Sequence, residues 1–470
     1  MIVVIEITYL ISSILFILGI KDLGSPKTAR KGNLLAAIGM FLAIAATLLD
    51  QQVLTFEWII IGALIGSVAG AIMAFKTPMT GMPQMVGMLN GFGGGASILV
   101  ALSEYFKKNP NYPVDTGAVF NLPIDQGVAI ILSILIGGVT FTGSMIAFGK
   151  LQGLVTGRVV KYPLQHPINA LLVLVVLAAG AYVVIYPSMM SLVIMITIIS
   201  VVLGVLLVLP IGGADMPVAI SLLNSYSGIA GSMTGFVLGN NELIIAGALV
   251  GASGIILTNI MCKAMNRSLM NVVLGGWANA GSTSAASSTT SPKGDVKSID
   301  SEELAMLLDS VSSVIIVPGY GMAVGQAQHA VRDLMNILEK KGVKVRFAIH
   351  PVAGRMPGHM NVLLAEAQVP YDKLYAMEDI NDDFHNTDVV IVIGANDVVN
   401  PAARHDQSSP IFGMPILNVD YAKTVIMNKR SMNAGYAGID NELFFYPNTL
   451  MYFGDSKDAM TKLVNELKNL

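Results

Sequence analysis

Val314-Ile315-Ile316-Val317-Pro318-Gly319-Tyr320-Gly321-Met322-Ala323-Val324 decides the fold of the C-terminal part of the chain. An apolar run too short for a core helix leads into two glycines one residue apart, and helical patterning follows from 322 to about 340. Strand, tight turn and helix in that order open a dinucleotide-binding unit. Gly319 and Gly321 let the backbone turn sharply and approach a pyrophosphate, while the helix N-terminus aims free N–H groups at it. A lone G-x-G-x-x-V also fits a plain strand-to-helix turn, so the surroundings must decide.

Those surroundings are α/β. Ser301-Glu302-Glu303 caps a helix ending near Asp309, and strands are expected at 343–349, 389–393, 416–419, 424–427 and 450–453. Helices are expected around 359–368 and from Asp455 onward. Such alternation predicts a parallel, doubly wound Rossmann-like sheet, whose ligands bind beyond the carboxyl ends of the strands.

The strand-end loops carry the candidate chemistry. Gly394-Ala395-Asn396-Asp397 follows one strand and Lys429-Arg430-Ser431 another. A guanidinium, an ammonium and a hydroxyl together suit an anion such as a 2′-phosphate, with solvated surface charge as the plain alternative. Met432-Asn433-Ala434-Gly435-Tyr436-Ala437-Gly438 is a glycine-punctuated loop suited to closing over a ligand. An NAD site expects an acid near the end of the 343–349 strand to hold the ribose, but His350-Pro351-Val352-Ala353-Gly354-Arg355 stands there instead.

Working back toward the N-terminus, the composition changes. With 53% hydrophobic and 13% charged residues the chain is too apolar for an ordinary soluble protein, and the excess lies almost wholly before Cys262. Nine segments there have the length and apolarity of bilayer-spanning helices: 2–20, 33–49, 57–75, 84–106, 125–148, 168–186, 188–209, 217–239 and 242–262. The first reads as a retained span rather than a signal peptide. Lys and Arg concentrate in the loops after the odd-numbered spans, while Lys107 and Lys108 alone mark the opposite side. Positive-inside counting therefore expects the N-terminus outside and everything after Cys262 in the cytoplasm.

Three segments follow: a membrane domain over 1–262, an exit helix and flexible linker over 263–300, and a Rossmann-like domain over 301–470. The linker reading rests on the polar, small-residue run from Gly281 to Ser301. The net charge of −3 without a basic run argues against a nucleic-acid partner. A single cysteine excludes internal disulfides and Cys-based zinc or redox sites.

Within the spans Glu6 is the only clear carboxylate, near an outer end. The remaining polar groups are neutral: Asn90, Ser97, Thr140, Thr142, Ser144, Asn224, Ser225, Ser227, Ser253, Thr258 and Asn259. Interhelical hydrogen bonding explains most of them, whereas Asn90 and Asn224 equally suit a polar path. Asp215 in Gly212-Gly213-Ala214-Asp215-Met216-Pro217 reads as a helix N-cap or as a charge facing the nucleotide domain. Lys263 and Arg267, four apart on a helix leaving the membrane, read as snorkelling anchors or as contacts to Asp215 or the domain below.

Several runs are specific enough to resemble a known family. Pro318-Gly319-Tyr320-Gly321-Met322-Ala323-Val324, the stretch from His350 to Ala367, Ile393 to Ala403, Lys429 to Gly438, Gly212 to Pro217, Leu222 to Gly228 and Met261 to Ser268 resemble the β subunit of proton-translocating nicotinamide nucleotide transhydrogenase. The resemblance covers nearly the whole chain. It implies a membrane domain that carries protons and a cytoplasmic domain that binds NADP(H), reversed relative to an ordinary Rossmann dinucleotide. NAD(H) would sit on a separate α component, with a dimer of the αβ unit in a cell inner membrane.

Carried over residue by residue, nucleotide contacts are implied for Tyr320; Val352, Ala353, Gly354, Arg355, Met356 and Pro357; Gly394, Ala395, Asn396, Asp397 and Val398; Gly413 and Met414; Lys429 to Tyr436; and Asp455 with Ser456. Asn224, Asp215, Ser144, Lys263 and Arg267 match family positions tied to proton passage or domain coupling. Asn90 departs from the family, which often places a histidine in the fourth span, and an α-component helix is expected to supply that histidine. Hydride transfer between two nicotinamides needs close ring stacking in a dry site rather than a general acid or base, so neither a catalytic side chain nor a metal is expected. The rival reading is a transporter or channel gated by a regulatory nucleotide domain. It would show a selectivity filter or intramembrane charges, and no filter is visible in the sequence.

Overall fold

The computed structural model describes residues 2–25, 28–50, 57–108, 122–157, 159–265, 268–273, 296–356, 358–409, 411–433 and 439–470. The chain divides into a unit of Met1–Asn259 with Met270–Trp277 and a unit of Ile260–Leu269 with Ala278–Leu470. Arg267, Pro357, Ala434, Gly435, Tyr436 and the linker between Gly281 and Asp295 lie outside the described residues.

Among the described residues the N-terminal unit is built of helices: α1 Ile2–Leu23, α2 Ala29–Asp50, α3 Glu57–Lys76, α4 Met82–Lys108, α5 Ile124–Gln152, α6 Gln165–Ile185, α7 Met190–Val208, α8 Met216–Leu238 and α9 Asn241–Ala264. Among the described residues eight of these are long and apolar enough to cross a membrane. The other is α8, which occupies the expected eighth position but is rich in Ser, Asn, Thr and Gly. Its lower apolarity has a packing cause, because Ser221, Ser225, Ser232 and Thr234 are all buried. Polar groups turned toward neighbouring helices rather than toward lipid can be satisfied there.

Small residues set the helix spacing. A Cβ on Gly94 of α4 would lie 2.6 Å from the Gly137 carbonyl oxygen of α5, and one on Gly228 of α8 would lie 2.4 Å from the Gly251 nitrogen of α9. Backbones approach this closely only where side chains are missing, which is how helices gain dispersion contact in a medium that offers no hydrophobic drive. Helix α5 is central, packing on α4, α6, α7 and α8.

The C-terminal unit is a six-stranded, wholly parallel sheet in the order β3-β2-β1-β4-β5-β6. Its strands are β1 Ser313–Pro318, β2 Lys344–Ile349, β3 Leu374–Ala376, β4 Val389–Ile393, β5 Thr424–Lys429 and β6 Thr449–Phe453. β1 and β4 are buried along almost their full length, as strands covered on both faces must be. Helices α10 Ser301–Asp309, α11 Tyr320–Val324, α12 Gln328–Lys340, α13 His359–Glu366 and α14 Ser456–Asn469 accompany the sheet.

Four expectations need correction. The helix expected from 322 to 340 is two helices, because Gln326 adopts a positive φ of 51° between α11 and α12 and stops the first after five residues. No strand forms at 416–419; the sixth strand is Leu374–Ala376, a three-residue edge that Pro370 and a short helical turn left inconspicuous. Helix α10 is capped by Asp300, whose side chain accepts from the Glu303 N–H at 2.8 Å, rather than by Ser301. Finally, the end of the expected linker is structured. Ser298 pairs with Met451, with Ile299 N–H donating to Met451 O (3.0 Å) and Met451 N–H donating to Lys297 O (2.8 Å), so this segment lies along β6.

The sheet is also tied at its amino ends. Asp388 accepts from the Ser312 N–H, the Ser313 N–H and the Ser313 hydroxyl at 3.0 Å each, and from Lys423 Nζ at 2.8 Å. These donors hold its carboxyl down at about 2, the Lys423 hydrogen bond contributing most. One carboxylate thereby aligns the starts of β1, β4 and β5. Asp388→Ala should cost about 1–3 kcal/mol through two stranded N–H groups and a lost charge-assisted bond. Denaturant unfolding should show a lower midpoint with an unchanged slope.

Candidate functional site

The strand order reverses between β1 and β4, so the crevice beyond their carboxyl ends is the ligand position of an open α/β sheet. Here the two loops are joined backbone to backbone. Gly319 N–H donates to Ile393 O (2.8 Å) and Gly321 N–H to Gly394 O (2.9 Å). A Cβ on Gly319 would lie 2.5 Å from Ala395 Cα, and one on Gly321 would lie 2.6 Å from Gly394 Cα. Gly394 has φ +64° and returns the same contact, 2.4 Å from Gly321 Cα. These glycines were expected to make room for a pyrophosphate. The room is instead filled by the neighbouring loop, and two of the N–H groups a phosphate would use are already engaged.

On the β2 side, the Arg355 guanidinium lies 4.3 Å above the Tyr320 ring, and the His359 ring centroid is 6.1 Å from that of Tyr320. The Arg355 N–H donates to His359 Nδ1 (3.0 Å), so the ring proton belongs on Nε2. Burial, seconded by the Arg355 charge, pushes His359 down to about 4. Its Nε2 is buried with no hydrogen-bond partner among the described residues. Gly354 supports the arrangement with φ +108°, since a Cβ there would strike the His359 ring at 2.5 Å. His350, where an acid was sought, is 1% exposed. It accepts from Val352 N–H at Nδ1 (3.2 Å) and its Nε2 faces Pro415 O (2.8 Å), which makes it a neutral loop tie pushed by burial to about 4. Val352, Val398 and Met414 share one apolar cluster with Ala403, Ile411 and Ile416.

On the β5 side the lysine of the expected anion cradle is fixed in place. Lys429 Nζ donates to Asn396 Oδ1 (3.2 Å) and Asn433 O (2.8 Å) and sits 4.5 Å over the Phe444 ring. Burial lowers its pKa, opposed by the carboxylates of Asp397 and Asp440. Asn396 is held in turn by Asn441 Nδ2, which donates to its carbonyl at 3.0 Å. Arg430, Ser431, Met432 and Asn433 are exposed, and among the described residues Arg430 has no side-chain partner. From the β6 end, Asp455 caps α14 through Lys457 N–H (3.1 Å), and Ser456 Oγ reaches Gly321 O at 3.4 Å. A cavity of about 340 Å³ beside β6 is lined by Asp300, Tyr452, Asp455, Asp458 and Lys462, an acidic set ill suited to a phosphate.

In the membrane unit, Asn90 of α4 faces α8: its Nδ2 reaches Ile220 O at 3.5 Å and its carbonyl accepts from Ser227 Oγ at 3.2 Å. Ile220, Asn224 and Ser227 recur at i, i+4 and i+7 on α8, so Asn224 lies on the same face as these Asn90 contacts. Ser144 is buried on α5 with its hydroxyl unpartnered among the described residues. Asp215 takes the N-cap position of α8 ahead of Pro217 without a capping side-chain hydrogen bond, and Lys263 is exposed near the end of α9. Glu6 is exposed, whereas Glu242, at the boundary of the ninth expected span, is buried. Lys150 is buried too, donating to Leu209 O (2.6 Å) and Ile211 O (2.7 Å) and so pinning the segment that leads to Asp215. Neither Lys150 nor His359 stood out in the sequence, since each sits among residues with a simpler explanation.

Helices suited to a bilayer, joined to a doubly wound sheet with a basic cluster at its switch-point side, define a membrane protein carrying a dinucleotide-type domain. The chain matches the model of the NAD(P) transhydrogenase beta subunit over residues 5–466. It is 50% identical over 465 residues, covering 98% of both chains, to the NAD(P) transhydrogenase subunit beta of Rhodospirillum rubrum, and the sequence of a named strain of that organism gives the same values. It belongs to the NAD(P) transhydrogenase beta subunit family. Membership implies an oxidoreductase role with nicotinamide nucleotides and an alpha partner subunit.

His350 and His359 titrate below an unfolded histidine, so the unfolded chain binds more protons between about pH 6.5 and 4 and stability falls as pH falls through that window. Denaturant unfolding of the C-terminal unit should show the full stability above pH 6.5 and a progressive loss below it. The loss should be smaller in His359→Asn than in the parent.

Proposed function

We propose that this chain binds NADP(H) at the carboxyl ends of its sheet, exchanges hydride with NAD(H) held by the alpha partner, and couples that exchange to proton movement through the membrane unit. The observation that carries the nucleotide assignment is the placement of charge. The end of β2 offers a buried neutral His350 and no acid for a ribose 2′-hydroxyl, whereas the end of β5 offers Lys429, Arg430 and Ser431. A 2′-phosphate fits the second set, with Arg430 as the open guanidinium and Lys429 as the fixed ammonium. Because that cradle lies across the switch point from β2, the nucleotide runs opposite to the usual direction, with its nicotinamide end toward the β1–β2 side.

When bound, NADP(H) supplies the carbon that gives or takes the hydride. The residues of this chain bind and orient. Asn396 and Lys429 brace the phosphate end, Tyr320 under Arg355 offers a flat face for stacking, and the Val352–Val398–Met414 cluster keeps that side dry. No general acid or base is assigned, in keeping with a reaction that moves only hydride between stacked rings.

Coupling is read from the polar face shared by α4 and α8. Asn90 and Asn224 provide a hydrogen-bonding seam, Ser144 lies on the adjoining α5, and Asp215 opens α8 on the side assigned to the cytoplasm by positive-inside counting. A proton moving through a membrane potential supplies about 2.3 kcal/mol per 100 mV. That energy acts on the redox reaction only through a difference in NADP+ and NADPH affinity between two states of the C-terminal unit. We further propose an inner-membrane location, a dimer of the alpha–beta unit, and a histidine from an alpha-subunit helix beside Asn90.

In the assembled complex Arg430→Ala should weaken NADP(H) binding about 10- to 100-fold, the worth of a charge-assisted pair, and leave NAD(H) binding to the partner unchanged. Equal loss of both nucleotides, or of neither, in titration calorimetry contradicts the cradle.

A further inference from the structure

Asn428 interrupts the apolar run of β5. Val425, Ile426 and Met427 before it are buried, and Asn428 is buried as fully, at 0% exposure, with Lys429 immediately after it. An amide in such a place is costly unless its hydrogen bonds are made. Its Nδ2 donates to Tyr452 O at 3.1 Å and to Gly454 O at 3.4 Å, at and just past the carboxyl end of β6. Two carbonyls can be met only by the nitrogen side of the amide, so its orientation is fixed. Oδ1, on the other side, has no hydrogen-bond partner among the described residues. An apolar side chain of the same size would bury no such oxygen, so filling space does not by itself call for asparagine here.

The main chain at the same point reaches the other way. Asn428 O accepts from Gly394 N–H at 3.4 Å, and Gly394 is the glycine of the β4 loop that touches Gly321. Lys429 O accepts from Gly454 N–H at 3.0 Å. Gly454 has φ +153°, a conformation that L side chains rarely adopt, so the chain turns sharply out of β6 at the point where the amide holds it. Lys429 Nζ returns to Asn396 Oδ1 in the β4 loop at 3.2 Å. The ends of β4, β5 and β6 are thereby closed into one hydrogen-bonded set around Asn428 and Lys429. Without the amide, the turn at Gly454 keeps its bond to Lys429 O and loses both side-chain ties to β5.

From this geometry we infer that Asn428 is a positioning residue for the anion cradle. By holding the β6 turn against the end of β5, it sets the direction in which the chain leaves the strand, and so where Lys429 and Arg430 stand. Being fully buried, it acts without touching the nucleotide. Asn428 thereby enters the NADP(H) reading above, on which its role rests, as a buried determinant of 2′-phosphate preference.

The test is a double-mutant cycle on the full alpha–beta complex, with NADP+ titrated calorimetrically while NAD+ saturates the partner. Both nucleotides are oxidised, so no hydride moves during the titration. Asn428→Leu should weaken NADP+ binding about ten-fold and leave NAD+ binding to the partner unchanged. Added to Arg430→Ala, it should weaken NADP+ binding by no more than about three-fold further, since two changes that act through one set of contacts do not add. A merely structural asparagine would give the same loss in both backgrounds, and that result overturns the inference. Where Asn428→Leu does not assemble, Asn428→Ala is read in the same cycle. If Arg430→Ala weakens NADP+ binding and Asn428→Leu does not, the cradle stands and the positioning role falls. If Arg430→Ala itself leaves NADP+ binding unchanged, both fall together.

Discussion

The C-terminal unit depends on a contact between backbones. At the reversal of strand order, the loops after β1 and β4 touch through Gly319, Gly321, Gly394 and Ala395, at distances no Cβ would tolerate. Two N–H···O bonds fix the pair, and the carboxyl ends of the neighbouring strands are placed by it. Ser456 at the end of β6 reaches Gly321, while Asn396, two residues past Gly394, carries Lys429 at the end of β5. A side chain at any of the three glycines would separate the loops and with them the Tyr320–Arg355–His359 group and the Asn396–Lys429 group. Rigid backbone at the centre leaves recognition to the side chains on either flank.

The membrane unit obeys the same economy of small residues under a different solvent. Glycine pairs such as Gly94–Gly137 and Gly228–Gly251 bring helices together, and Asn90, Ser225 and Thr258, between them, find partners on the adjoining helix. Thr258 Oγ1 meets Ser221 Oγ at 3.0 Å, and Ser133 Oγ meets Thr234 Oγ1 at 2.9 Å.

Most of the architecture could be read from the sequence because its signals are long or repeated. Nine apolar segments became nine helices, and the apolar runs of β1, β4 and β5 became central strands, each specified by burial on both faces. What escaped was short or conditional on tertiary contact. β3 is three residues of ordinary composition paired to β2 at an edge. The break at Gln326 depends on a positive φ that no sequence rule requires of glutamine. The glycine motif was recognised, but whether its free faces meet a ligand or the next loop is a matter of distances. His359 and Lys150 carry no signal in the sequence for a similar reason: burial and partners, which give each its meaning, are properties of the fold.

In the proposed function the loops after β5 and β2 hold the two ends of NADP(H), in that order. A structure of the alpha–beta complex with NADPH bound tests it most directly. The 2′-phosphate is expected on Lys429, Arg430 and Ser431 and the nicotinamide on the Tyr320–Arg355 side, facing the partner's nucleotide. A 2′-phosphate at the end of β2, or a nucleotide seated in the acidic cavity beside β6, would contradict it.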